Sequence, residues 1–329
     1  MTTVAKKKNN DTDADADILD KINAEFGSGT IMCLEGTPPA YEVFSTGSLN
    51  LDAALGIGGL PRGRIVEVYG PESSGKTTIA LQVVANAQKR GHRCAFIDAE
   101  HALDLQYAQN LGVDLKTLLV SQPDFGEQAL EVCDRLVRSG KCAVVVVDSV
   151  AALTPKAELE GAMEDMQPGM QARLMSKGLR KLVAAVSVTD TLLIFINQTR
   201  SKIGGYGNPE TTAGGNSLKF YASIRMRIVR TGSESAGGEA VSNTTKAKVV
   251  KNKCAAPFRE AEFEIEFGRG VSLPGEVLDH ALSKKLIVQT GSWFSLADGT
   301  RIGQGREKAK QHLAENPELL ATLLESITA

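Results

Sequence analysis

Aromatic residues make up only 5% of the 329 residues, with a single tryptophan. No apolar run approaches the roughly 18 residues that a membrane-crossing helix needs. The longest candidates are Cys142–Val147 and Leu192–Ile196, and the N-terminus carries lysines without the apolar stretch of a secretory signal. These absences argue against a membrane helix and lead us to expect a cytoplasmic chain with no membrane partner. Cysteine is scarce as well. Cys33, Cys94, Cys133, Cys142 and Cys254 are an odd number, lack C-x-x-C spacing and lie in apolar stretches, where a thiol behaves as a small hydrophobe. Neither a disulfide framework nor a zinc site is expected. An excess of one charge is missing too, since 37 Lys/Arg face 39 Asp/Glu. What remains is a globular composition, 42% hydrophobic and 23% charged, long enough for one large α/β domain plus something smaller.

The small net charge of −2 hides an uneven distribution. Residues 1–60 hold four Lys/Arg against nine Asp/Glu, whereas residues 200–260 hold eleven against four. The basic third fits a polyanionic partner or, equally, a solvated strand surface. The first 16 residues are poor in apolar side chains and read as disordered. From Asp17, the residues Ile18, Leu19, Ile22 and Phe26 recur at helical spacing, and Gly27 ends the pattern. Such a lone amphipathic arm must dock, either on its own domain or on a neighbouring subunit.

Between about residues 60 and 200, short β-branched runs alternate with helical ones. Strands are expected at Arg64–Tyr69, Cys94–Asp98, Leu118–Val120, Ala143–Asp148 and Leu192–Asn197, and helices at Thr77–Lys89, Glu127–Ser139 and Met170–Ser187. This pattern predicts a mostly parallel sheet covered by helices. After Phe220 the period becomes two. Ile224, Met226 and Ile228 alternate with Arg225 and Arg227, and Phe263, Ile265 and Phe267 alternate with Glu262, Glu264 and Glu266. Antiparallel strands extending the sheet are predicted. From about Leu273 a helix, a short strand pair around Gly291–Trp293 and two further helices suggest a small separate α/β domain.

Gly70-Pro71-Glu72-Ser73-Ser74-Gly75-Lys76-Thr77 matches G-x-x-x-x-G-K-[ST] between a predicted strand and helix, and Thr78 continues it. Here the glycines let backbone N–H groups close on phosphates, Lys76 adds a point charge and the Thr77 hydroxyl reaches Mg²⁺. ATP and Mg²⁺ are the expected ligands. Ala143–Asp148 is a buried apolar strand ending in a carboxylate, the form a Mg²⁺-water partner takes behind a P-loop. Glu100 falls just past the strand after the P-loop helix, where a general base could polarise a water in line with the γ-phosphate. Leu192–Gln198 ends a third strand in two amides. Gln198 is placed to sense the γ-phosphate and to pass its state to the glycine-rich loop Thr199–Gly215.

The runs Gly70–Thr78, Phe96–Leu103, Val147–Ala157, Asn208–Thr212 and Val249–Phe258, preceded by Ser45–Asp52, resemble the bacterial RecA recombinase family over nearly the whole chain. The resemblance implies a DNA-dependent ATPase that forms helical filaments on single-stranded DNA, pairs it with duplex DNA in recombinational repair, and signals DNA damage to an SOS-type repressor. It implies three parts: an arm over residues 1–36 that packs on the next subunit, an ATPase core over 37–272, and a C-terminal domain over 273–329. Adenine would lie near Asp104 and Tyr107, while Lys251 and Lys253 would reach a neighbour's phosphates. Single-stranded DNA would meet loops at about 160–169 and 199–215, with Arg173, Ser176, Arg180, Arg200, Gly214, Gly215 and Asn216. Duplex DNA would be gathered through Lys284, Lys285, Arg301, Arg306 and Lys308. Both loops depart from the family pattern, the first through Pro168 and the second through Tyr206 and a shorter Lys202–Asn208. The alternative is a RecA-core ATPase of another kind, a ring helicase or an ATP-gated binding module, without strand exchange.

Overall fold

The computed structural model describes residues 9–28, 30–31, 40–161, 169–201, 210–236 and 239–328. Lys6–Lys8, Cys33, Met166, Pro168 and Tyr206 lie outside them, as do most of the 160–169 loop and the centre of the 199–215 loop. The chain divides into two compact units, Met1–Tyr41 and Glu42–Ala329.

In the first unit, helix α1 spans Asn9–Phe26. It begins at Asn9 rather than Asp17. The alternation of alanine with aspartate, which lacks large apolar side chains, supplies a good helix former in alanine and negative charge near the positive helix start in aspartate. Past its end, Asn23 holds the returning chain, its Nδ2 donating to the Ile31 carbonyl (3.0 Å) and its Oδ1 accepting from the Ile31 amide (3.2 Å).

The second unit opens with β1 (Val43–Phe44), α2 (Leu49–Leu55) and β2 (Leu60–Pro61), the two strands pairing antiparallel. Next come β3 (Ile65–Gly70), α3 (Lys76–Lys89), β4 (Cys94–Asp98), α4 (Leu105–Asn110), β5 (Leu119–Ser121), α5 (Gly126–Arg138) and β6 (Val144–Asp148). Helices α6 (Lys156–Glu160) and α7 (Met170–Val188) precede β7 (Leu192–Ser201), β8 (Glu210–Thr212) and α8 (Ser217–Tyr221). The antiparallel section is β9 (Ile224–Ala236), β10 (Glu239–Asn252), β11 (Glu260–Glu266) and β12 (Gly270–Val271). Last come α9 (Leu273–Ser283), β13 (Ile287–Thr290), β14 (Trp293–Leu296), β15 (Arg301–Gln304), α10 (Arg306–Glu315) and α11 (Pro317–Thr328).

Strand order in the main sheet is β12-β11-β10-β9-β3-β7-β6-β4-β5, with β8 on the free end of β7. The strands from β5 to β3 run parallel, and β9 also joins β3 in parallel before the sheet turns antiparallel at β10. The runs Val144–Val147 and Leu192–Ile196 are buried on both faces, as all-apolar parallel strands must be. One face packs Val66, Val146 and Ile194 under α3, and the other packs Ile97, Val145 and Phe195 under α5 and α7. The C-terminal segment builds its own core around Val277, Phe294 and Leu313, on three antiparallel strands where the sequence predicts a pair. Parallel order brings the carboxyl ends of β3, β4, β6 and β7 to one edge, the usual ligand edge of an open α/β sheet.

Candidate functional site

Two glycines of the Gly70–Thr77 turn are dictated by space. A Cβ on Gly70 would lie 2.0 Å from the Ile228 carbonyl oxygen, and one on Gly75 would lie 2.3 Å from Ile265 Cδ1, at a backbone φ of +90°. Gly75 caps α3, so the N–H groups of the first turn point into the space above the turn. Lys76 is only 7% exposed, and its Nζ donates to the Pro71 carbonyl. Burial lowers its amine below the usual lysine range, against the opposing pull of Asp148, Glu100 and Glu72. Pro71 and Glu72 are exposed at the tip of the turn.

Thr77 Oγ1 donates to Asp148 Oδ2 (2.8 Å), which joins the P-loop helix to the end of β6. Burial pushes the Asp148 carboxyl up to about 6 from its ordinary 3.8, more than the Thr77 bond brings it down. The amides of Ala99 and Glu100 donate to the Asp148 carbonyl (2.7 and 3.3 Å), so β4 and β6 end together. Glu100 Oε1 accepts from the Ser149 hydroxyl and from Gln198 Nε2 (2.9 Å). Gln198 is in register with Gly70 across the β3–β7 pair. Lys76, Thr77, Glu100, Asp148 and Gln198 are thus brought to one edge, and Ser149 is a member that sequence reasoning missed.

Residues Ser73–Thr78 line a cavity of ≈ 290 Å³ whose other walls are Tyr107, Asn243, Thr245, Ile265 and Phe267. Tyr107 is held by its hydroxyl against Thr78 Oγ1 (2.8 Å). Asp104 caps α4 through the Tyr107 amide (2.9 Å) and is not among the lining residues. The four walls from β10, β11 and the turn after β11 were not foreseen. Their alternation marks strands, but only the antiparallel extension curling over α3 brings them to the P-loop.

The proposed DNA residues divide. Arg173 and Arg180 are exposed on α7 with Ser176 half-buried between them, and Arg200 is exposed near the end of β7. Gly214 and Gly215 press on the same helix: a Cβ on Gly214 would lie 3.1 Å from Met175 Cγ, and 2.7 Å from Val150 Cγ1 beside it, and one on Gly215 would lie 2.7 Å from Ala172 Cβ. Gln171, also unforeseen, holds them in place. Its Nε2 donates to the Val150 carbonyl (2.8 Å), just past Asp148, and its Oε1 accepts from the Gly214 amide (3.2 Å). Asn197 Nδ2 donates to the Ala213 carbonyl (3.1 Å) and to Glu67 Oε1 (2.9 Å), and Arg225 pairs with the other Glu67 oxygen. Asn216 is exposed at the start of α8 and makes no side-chain cap bond.

Lys251 and Lys253 lie apart from the P-loop. Asn252 is level with Ile224 and hence with Val66, near the amino end of β3, whereas the P-loop leaves its carboxyl end. Lys251 Nζ donates to the Lys219 and Phe220 carbonyls (2.7 and 2.9 Å) at the end of α8, and Lys253 is exposed. In the C-terminal segment Lys284 donates to the Ile327 carbonyl (2.7 Å), Arg306 pairs with Asp279 and Arg301 covers the Trp293 ring at 4.6 Å. Lys285 and Lys308 are exposed. Among the described residues no group of three or more His, Cys, Asp or Glu could hold a metal, and no helix is long and apolar enough to cross a membrane.

Comparison with known proteins gives the family. The family model described as RecA N-terminal domain matches residues 14–272, and that of the RecA C-terminal domain matches 275–329. Protein RecA of Delftia acidovorans is 59% identical over 304 residues, 92% of this chain and 83% of the relative. Protein RecA of Acidiphilium cryptum is 59% identical over 314 residues, 94% of this chain and 91% of the relative. That of Chelativorans sp. is 60% identical over 92% of this chain and 84% of its own length. A solved structure of the RadB recombinase matches with a TM-score of 0.53 at 24% identity, covering 70% of this chain and 98% of that one, a likeness of fold. Matched by both domain models and aligned with such relatives over nine-tenths of its length, the chain belongs to the RecA family of recombinase ATPases.

Proposed function

We propose that this protein is a cytoplasmic, DNA-dependent ATPase that polymerises on single-stranded DNA and pairs it with a homologous duplex. The observation that carries the reading is the placement of one carboxylate. Glu100 is held by Ser149 and Gln198, and Gln198 sits on the strand that leads into the loop at 199–215. Backbone N–H groups of Ser73–Thr78 and the Lys76 ammonium would hold the phosphates. Thr77 and Asp148 are hard oxygen donors already 2.8 Å apart, and Asp148 is a carboxyl that burial leaves short of positive charge, which fits a small divalent cation. Mg²⁺ bound there would neutralise charge on the phosphate oxygens.

Glu100 takes a proton from water as the water oxygen bonds to the γ-phosphorus and the bond to the β–γ bridging oxygen breaks. To act so, Glu100 must exchange the Ser149 hydroxyl or the Gln198 amide for that water. Gln198, freed towards a γ-phosphate oxygen, shifts a backbone whose carbonyl accepts from Ala213 (3.4 Å), two residues before Gly215. Phosphate state and DNA loop thereby bias one another. Arg173, Arg180 and Arg200 would meet the DNA backbone without reading sequence, leaving homology to base pairing.

Lys251 and Lys253 lie at the wrong end of β3 for their own P-loop, which supports their reaching the ATP of a neighbouring subunit, and the exposed Ile18 and Phe26 of α1 support an arm that seals such a contact. A head-to-tail contact that does not close gives a filament. An SOS-type repressor is a further partner that this reading admits. The test is ATP hydrolysis with and without single-stranded DNA. Strong stimulation, lost in Lys76→Ala and Glu100→Gln, is expected. Hydrolysis indifferent to DNA would leave an ATP-gated binding module instead.

A further inference from the structure

Strand β11 has two faces with different employers. Phe263 and Ile265 point into the core; Ile265 Cδ1 sits directly under Gly75, and Ile265 and Phe267 line the cavity above the P-loop. The opposite face carries Glu264 and Glu266, and both meet one side chain of the C-terminal segment. Lys310 Nζ on α10 lies 2.9 Å from Glu264 Oε2 and 3.2 Å from Glu266 Oε1, with Glu307 of its own helix at 3.3 Å.

The surroundings make this contact a strut rather than a seam. A cavity of ≈ 660 Å³ separates α10 from the turn between β11 and β12, bounded by Glu266, Arg269, Val271, Pro274 and Gln311. Close packing therefore does not fix the outer side of this turn, which bears Phe267 on its inner side. The charged bridge spans the gap. Lys310 is 4% exposed, and although burial opposes its charge, Glu264 and Glu266 outweigh that and hold the amine above the usual lysine range. A buried ammonium between two carboxylates on one strand is a stiff, directional tie, because breaking it strands a charge.

We propose that Lys310 is a positioning residue for the nucleotide: by tying the outer face of β11 it keeps Ile265 and Phe267 against the P-loop cavity, so that the C-terminal segment sets nucleotide affinity. The proposal rests on the reading of that cavity as the ATP site. By reciprocity, nucleotide binding must favour the tied arrangement by the same factor.

The test uses the full chain, a fluorescent ADP and the single tryptophan, Trp293, which lies in the C-terminal segment and reports its folding. Lys310→Met should weaken ADP binding about 5- to 10-fold, the lower range of ordinary coupling between sites. The KM for ATP should rise with it while kcat stays within about twofold. Lys310→Arg, which can still bridge both carboxylates, should restore both values, whereas a merely structural role would not split KM from kcat. Native Trp293 emission with unchanged affinity in Lys310→Met would overturn the proposal. If Lys310→Met instead unfolds the C-terminal segment, Glu266→Gln decides, since it keeps the Lys310–Glu264 pair: weaker binding supports the strut and unchanged binding sinks it. A Lys76→Ala chain that still bound ADP as well as the wild type would remove the nucleotide reading of the cavity, and this proposal with it.

Discussion

Two clusters of charge share the central sheet and are treated differently. At the middle of β3, Glu67 is 0% exposed, with Arg225 on one oxygen and the Asn197 amide on the other, and Arg225 in turn lies over the Tyr69 ring at 4.7 Å. That cluster is closed. At the carboxyl edge of the same sheet, Lys76 is met by a carbonyl and forms no ion pair among the described residues, Asp148 is met by a hydroxyl, and Glu100 is met by a hydroxyl and an amide. Lys76 lines the cavity above the P-loop, and among the described residues no ion pair joins these three charged groups. Within one sheet, completed charge marks what holds the fold, and charge left for a ligand to complete marks the site.

The sharpest way to break the comparison is at the open cluster. Glu100→Gln keeps the shape and the Ser149 and Gln198 contacts but cannot take a proton, so DNA-stimulated hydrolysis should fall by about 10²- to 10⁴-fold. Nucleotide affinity should be nearly unchanged, and a variant that kept a tenth of the activity would move the base elsewhere. At the closed cluster, Arg225→Met leaves Glu67 buried without its partner and should cost about 3–5 kcal/mol in urea unfolding. The double variant Glu67→Leu/Arg225→Met should recover most of that. If the single and double variants lost equally, packing rather than charge would be the cause.

The smallest effect has the opposite sign. A carboxyl with a higher pKa folded than unfolded holds its proton more tightly in the native state. Asp148, raised from 3.8 to about 6, therefore makes stability fall as pH rises through that window, and the loss persists at neutral pH. Asp148→Asn should stabilise the nucleotide-free chain at pH 7 by about 1–3 kcal/mol and flatten its melting temperature between pH 4 and 6. The same change should abolish Mg²⁺-dependent hydrolysis. A variant no more stable than wild type at pH 7 would mean that the open cluster carries no strain of this kind.

The open cluster was legible in the sequence and the closed one was not. Asp148, Glu100 and Gln198 stand at or just past the ends of apolar strands, and Lys76 and Thr77 belong to a motif that must follow one, so strand order alone collects them. Glu67 and Arg225 are 158 residues apart, and nothing local says that a parallel pairing of β9 with β3 will join them. The same holds for Asn243, Thr245, Ile265 and Phe267, whose period-two pattern marks a face but not what the face covers. Gln171 sits in a helix as an ordinary polar residue, and only the fold gives its amide the Val150 carbonyl and the Gly214 amide. The start of α1 was misjudged because the segment has no large apolar side chains to show a period, while its alanines favour a helix and its aspartates fall near the helix start.

Strand β7 runs on from Gln198 to Ser201 and is braced there by β8, with Thr199 opposite Thr212 and Ser201 opposite Glu210. An extended chain is already close to its full length, about 3.3 Å per residue, and cannot absorb a pull by uncoiling. The stretch between Gln198 and Ser201 therefore behaves as a rigid rod of fixed length. Arg200 apart, substitutions between its ends should be tolerated where they keep the backbone straight, whereas one residue added or removed would leave each end intact and disconnect them.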